Sequence, residues 1–250
     1  MRATIHALAA LAALGLAGCA AAARSEPPIG DAESLVRAMH GRYADSWYRT
    51  LSFTQATTRV LAGDSTHTEE WREWAALPGR LRIEMGAPAE GRVVIFANDS
   101  TYVLQHGRVV RRNDRMNPLM TVGFDVYRQP PERTLDQLRR QGFDLSRFHL
   151  DTLEGTPVYV VGAERGDTAG KQFAVEAERL LFVRLLEPVP GQPGVMQHVW
   201  FRRYEPLAGG WIAPEVEVLV GGRRVFHEVY SNLRANDTLD PELFAIPAGG

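Results

Sequence analysis

Seven histidines, one cysteine and one lysine are the residues of this 250-residue chain whose types could carry metal, thiolate or Schiff-base chemistry. His6, His40, His67, His106, His149, His198 and His227 are dispersed, with neither the i, i+4 spacing nor the His-Glu-x-x-His arrangement of a zinc site. His227 and Glu228 fall in a strand-like stretch, where successive side chains point to opposite faces and cannot share a metal. Gly-x-Ser-x-Gly is absent, as is a phosphate-cradling glycine loop, and the glycine pairs at 209–210 and 221–222 read as hairpin turns. The carboxylate pairs Glu69-Glu70 and Glu176/Glu178 read as solvated surface, and Lys171, beside Gly170, as an exposed turn residue. Trp71, Trp74, Trp200 and Trp211 could stack sugars or bases, although tryptophans more often fill a core. With no polar groups converging at catalytic spacing, the residues point to binding rather than turnover. No catalytic residue, metal or cofactor is expected.

Cys19 is the single thiol. It follows Met1-Arg2, an apolar stretch from Ala7 to Leu16 and the small residues Ala17 and Gly18, the order of a secretory signal. That run falls short of the ~20 residues needed to span a bilayer. Leu16-Ala17-Gly18-Cys19 resembles the bacterial lipobox, in which the cysteine is lipidated and becomes the new N-terminus. The resemblance implies a signal peptide over residues 1–18, a membrane anchor at Cys19 and no thiol left for other chemistry. Ala20 after the cysteine, in place of Asp, implies sorting to the outer membrane, facing the periplasm. Loss of Arg2 with the signal moves the formal charge from -2 to -3, which offers no electrostatic footprint for nucleic acid. Residues 19–30, with Pro27-Pro28, read as a tether reaching at most about 40 Å.

From residue 31 onward the periodicity predicts a single domain ending near 247. Asp31 caps a helix whose Leu35, Met39, Tyr43 and Trp47 share one face and which should end near Arg49. The period then changes to two. Strands are expected over about 51–60, 68–76, 80–86, 91–98 and 101–112, the last carrying a turn at His106-Gly107. After a helix-and-loop insertion over 114–142, with a short helix at 134–140, they resume over 145–152, 156–163, 171–177, 180–187, 196–205, 211–220 and 223–232. Consecutive apolar residues such as Val158 to Val161 and Val199-Trp200-Phe201 require cover on both faces of the sheet. The fold class is mainly β, α+β overall: a curved antiparallel sheet enclosing apolar space, with an N-terminal helix and a helical insertion.

A second resemblance lies in the C-terminal third. Trp200 to Pro214, then Val216-Glu217-Val218, Tyr230-Ser231-Asn232 and Leu239-Asp240-Pro241-Glu242-Leu243-Phe244-Ala245-Ile246-Pro247 resemble the outer-membrane lipoprotein-sorting family, the LolA/LolB-like proteins. The opening helix followed by Leu51-Ser52-Phe53-Thr54-Gln55 is similar too. This implies an unclosed β-barrel with a helical lid over an apolar cavity that receives lipid or lipoprotein acyl chains. Phe53, Leu81, Ile83, Phe96, Tyr102, Leu104, Leu119, Met120, Phe124 and Trp200 are the candidate cavity or lid residues. Residues 117–124 fit either a lid or a membrane-inserting loop. An envelope sensor or scaffold that binds a protein partner through the same fold is the alternative function, and an enzyme of envelope polymers a more distant one.

Overall fold

A computed structural model describes residues 28–247 of the chain, so the expected signal sequence, Cys19 and most of the expected tether lie outside the described residues. Helix α1 (Ala32–Tyr43) opens with a reciprocal cap: Asp31 Oδ1 accepts from the Ser34 amide at 2.7 Å, and Ser34 Oγ accepts from the Asp31 amide at 3.1 Å. The helix ends at Tyr43 rather than near Arg49. Arg128 donates to the Ala44 carbonyl, giving one of the last-turn acceptors a partner, and the Trp47 amide donates back to the Tyr43 carbonyl at 2.8 Å. Trp47 is nevertheless buried, because its ring stacks on Tyr127 with centroids 3.9 Å apart.

Six strands follow as a meander: β1 (Thr50–Val60), β2 (Thr66–Ala76), β3 (Arg80–Met85), β4 (Arg92–Ala97), β5 (Ser100–Gln105) and β6 (Arg108–Asn113). The insertion then folds as α2 (Pro118–Gly123), a 3-10 turn at Asp125–Tyr127 and α3 (Pro131–Arg140). Helix α3 begins earlier than expected because Pro131 takes the first helical turn, where its missing N–H costs nothing. The remaining strands are β7 (Phe148–Leu153), β8 (Thr156–Val161), β9 (Gln172–Glu176), β10 (Leu181–Pro188), β11 (Met196–Arg202), β12 (Glu205–Leu207), β13 (Gly210–Ile212), β14 (Glu215–Val220) and β15 (Arg223–Ala235). The expected strands 196–205 and 211–220 are thus each interrupted, and β12 and β13 pair with each other as a separate small sheet.

The other 13 strands form one antiparallel sheet, ordered β6-β5-β4-β3-β2-β1-β15-β14-β11-β10-β9-β8-β7 and not closed into a barrel. Strand β1 pairs with β2 on one side and with β15 on the other, which welds the two ends of the domain together at mid-sheet. The two edges, β6 and β7, are consecutive in sequence, so the insertion must carry the chain from one edge to the other. It does so across one face, where α1, α2 and α3 cover the main core with Leu35, Met39, Tyr48, Tyr127, Leu138, Phe173 and Phe182 buried. The opposite face carries two smaller apolar clusters, one around Ile95 and Tyr102 and one around Val158 and Val160. The C-terminal segment supplies Ile246 to the first of these, and its 3-10 turn at Pro241–Phe244 lies against β3 and β4. The helices cover one face, and on the other the C-terminal segment covers the cluster around Ile95 and Tyr102.

Candidate functional site

Between α2 and the helix-covered face of the sheet lies an apolar cavity of about 100 Å³. Alternation along the strands sets its floor. Leu51 and Phe53 of β1, Trp71, Glu73 and Ala75 of β2, and Leu81 and Ile83 of β3 point to the same side, with Phe201, Val216, Glu228 and Tyr230 from the C-terminal strands. Helix α2 supplies the roof with Leu119 and Met120, and Asn117 and Phe124 flank it. Asn117 caps α2 by accepting from the Leu119 amide at 3.0 Å, and Thr121 ties it to the insertion by accepting from Gln141 Nε2 at 2.8 Å. Helix and sheet lie close, for a Cβ on Gly123 would come within 3.1 Å of the Phe201 ring.

The structure therefore brings together Phe53, Leu81, Ile83, Leu119, Met120 and Phe124. Phe96 lies on the same face but lines an adjoining recess with Met120 and Asp125. Tyr102 and Leu104 belong to the cluster on the opposite face, under the C-terminal segment. Trp200 also faces away from the cavity, where Arg184 and Arg202 pack over its ring at 5.4 and 4.3 Å. These three positions show how a period of two misassigns a strand that is apolar on both sides: moving by one residue exchanges the faces. Residues 117–124 lie over the cavity, with Met120 and Val122 buried, rather than projecting from the body.

The floor also holds carboxylates that hydropathy did not single out. Glu73 on β2 is 6% exposed and has no hydrogen-bond donor or cation among the described residues. Burial pushes its carboxyl well above the usual range, and the nearby Glu228 charge adds to that. Glu228, on β15, is pushed up to about 7 by burial, against the opposing effects of Tyr230 and the Gln55 amide. The Tyr230 hydroxyl donates to Glu228 at 2.9 Å. Between them on β1, Gln55 Nε2 donates to Thr57 Oγ1 at 2.7 Å while its buried Oε1 accepts nothing. The available signal was the pattern Trp71-x-Glu73-x-Ala75, a charge set within an apolar stripe.

The carboxylate pairs expected at the surface each divide. Glu69 turns inward, where Arg59 at 3.0 Å and Arg92 at 2.5 Å hold it, whereas Glu70 is exposed. Glu176 is 5% exposed and accepts from the Glu178 and Arg179 amides at 2.7 and 3.0 Å, so it is a turn cap rather than solvated surface. Lys171 is partly buried, 3.0 Å from Glu187 and over the Phe143 ring. His227 Nε2 lies 2.8 Å from Glu215. Among the described residues no group of three or more histidines, cysteines or acids is placed to hold a metal, and no helix is long and apolar enough to cross a membrane.

The fold has counterparts among solved structures. A LolA superfamily protein from Nitrosomonas europaea superposes with a TM-score of 0.52 at 10% identity, covering 84% of this chain and 97% of its own. The fold is LolA-like. A DUF1329 family protein from Desulfovibrio piger matches with a TM-score of 0.55 at 15% identity, over 85% of this chain and 95% of the other. A domain from Vibrio parahaemolyticus named for outer-membrane lipoprotein sorting matches with a TM-score of 0.53 at 11% identity, over the same shares. No protein-family model matches the chain, and no curated protein matches it. At these identities the agreement with LolA-like structures is one of fold.

Proposed function

We propose that the chain is a binding protein of the bacterial envelope, anchored through a lipid on Cys19, whose cavity takes acyl chains during lipid or lipoprotein transfer at the outer membrane. The observation that carries this reading is the apolar cavity roofed by α2 within a LolA-like fold. The lipoprotein-sorting name of the Vibrio parahaemolyticus neighbour supports the cargo class, and the lipobox-like Leu16-Ala17-Gly18-Cys19 supports the anchor. Physical need agrees with it. Exposing about fourteen methylenes to water costs roughly 0.8 kcal/mol each, or about 11 kcal/mol, so unaided transfer is slow and an apolar pocket lowers the barrier without covalent chemistry.

As it stands the cavity, about 100 Å³, is smaller than the roughly 300–1,000 Å³ typical of small-molecule sites. A chain enters as α2 lifts from the sheet. Six residues long, that helix can separate from the floor without breaking any strand pairing. The described sheet, helices and core lie within residues 28–247, so the chain from Ala20 onward, which lacks Cys19, is the form to test. Titrated with a fluorescent fatty acid and examined by native mass spectrometry, it should retain one acyl chain per molecule. A folded protein that holds no chain by either method would refute the reading.

A further inference from the structure

The polar cluster in the cavity floor has no part in holding a hydrocarbon tail. Glu73 is buried on the apolar face with no donor, Gln55 Oε1 on the neighbouring strand accepts nothing, and Glu228 has the Tyr230 hydroxyl and the Gln55 amide. An unsatisfied buried acceptor costs on the order of 1–3 kcal/mol, more if it is charged, and a cluster of them in an apolar wall asks for a ligand rich in donors. None of the lining residues is lysine or arginine. A carboxylate or phosphate head would find no cation among those lining residues. Three aromatic residues of the lining, Phe53, Trp71 and Tyr230, frame the same end, the first and last with centroids 4.2 Å apart. Trp71 already carries a cation at the rim, Arg59 at 5.2 Å from its ring, and that guanidinium is held by Glu69. Carboxylates with aromatic faces beside them are the chemistry that receives an ammonium group.

We propose that Glu73 and Glu228 form the subsite for the ammonium head of a single-chain amphiphile whose tail lies under α2. The assignment rests on the acyl-chain reading of the cavity and adds the class of head group. A cavity of about 100 Å³ admits a head of a few heavy atoms even with α2 closed, since about 10–15 Å³ on the same measure holds one water. The balance of protons follows from the empty state. Both carboxyls resist ionisation when the site is empty, and Glu228 does so up to about pH 7. The alkylammonium enters already protonated, a carboxyl gives its proton to the buffer, and the bound state is an ammonium–carboxylate pair.

Dodecylamine, 1-dodecanol and lauric acid, each at monomeric concentration, separate the head from the tail by isothermal titration calorimetry on the chain from Ala20 onward. Near pH 8 the amine should bind at least about tenfold more tightly than the alcohol, equivalent to about 1.4 kcal/mol, and lauric acid more weakly than either. In a Glu73→Gln/Glu228→Gln variant the amine should lose that advantage over dodecanol, with a cooperative thermal melt showing that the variant is folded. Near pH 7, amine binding should release protons, read as a dependence of the measured heat on the buffer's ionisation enthalpy. Equal affinity for amine and alcohol, tighter binding of lauric acid, or a preference that survives the double substitution would overturn the head-group assignment and leave the acyl-chain reading intact. Failure of all three ligands to bind would remove both.

Discussion

At the scale of single residues, Glu73 is the unusual choice, because glutamate is rarely buried without a partner, and Glu228, which has the Tyr230 hydroxyl, accompanies it. Their raised pKa values make stability depend on pH with a definite sign. Between the unfolded value of 4.5 and the folded value of about 7, Glu228 binds more protons in the folded protein than in the unfolded chain. Its contribution to stability is complete below about pH 4.5 and is lost as pH rises through about 7. Glu73 acts in the same direction. A Glu228→Gln variant should therefore show a smaller fall in Tm between pH 5 and pH 8 than the parent, measured by circular dichroism. An unchanged fall would show that the carboxyl is solvated. In sequence terms these residues were present in plain view, but charge alone does not say which face of a strand bears it.

At the scale of elements, the insertion is what converts a bare sheet into a covered one, and a single carboxyl holds part of it in place. Asp125, 2% exposed, accepts from the Gly79 amide at 2.8 Å and so ties the 3-10 turn after α2 to the β2–β3 turn. Burial pushes it up to about 7. The folded state again holds the extra proton, so this contribution is complete below about pH 4 and gone above about 7. Asparagine keeps the acceptor and drops the charge. Asp125→Asn should raise Tm at pH 8 and leave it nearly unchanged at pH 4 in parallel thermal melts. The roof is tested separately. Met120→Asp places a charge against Phe201 and Leu81 and should reduce fatty-acid affinity by about tenfold or more, since the desolvation of a carboxylate exceeds about 1.4 kcal/mol. Binding at parental affinity would remove α2 from the site.

At the scale of the whole molecule, the pairing of β1 with β15 makes the N- and C-terminal halves one sheet, while the edges at β6 and β7 stay open. Open edges invite pairing with other chains, and β6 answers this with Arg108, Arg111 and Arg112, charges that discourage it. The body then works within about 40 Å of its anchor if the tether begins at Cys19. Cys19→Ala should shift the protein from the membrane to the soluble fraction on cell fractionation. Retention in the membrane fraction would refute the anchor.

Sequence by itself determined the local elements. The Asp31 cap, the period of two from Leu51 onward, the turns at Pro78-Gly79 and His106-Gly107, and the helical break at 114–142 are written in neighbouring residues, because capping, alternation and turn chemistry act over a few positions. Phe53, Leu81 and Ile83 were legible as lining residues because they sit on stripes, whereas Leu119, Met120 and Phe124 lie in an apolar segment that fitted either a lid or a membrane-inserting loop. Tertiary structure alone decided the rest. Tyr102, Leu104 and Trp200 lie on strands apolar on both sides, and which side meets the helices depends on strand order and on where the C-terminal segment packs. Trp47 leaves α1 because a partner far along the chain, Tyr127, holds its ring. The Glu73 and Glu228 cluster exists only because β2 and β15 flank β1, a juxtaposition of residues more than half the chain apart that no local rule encodes.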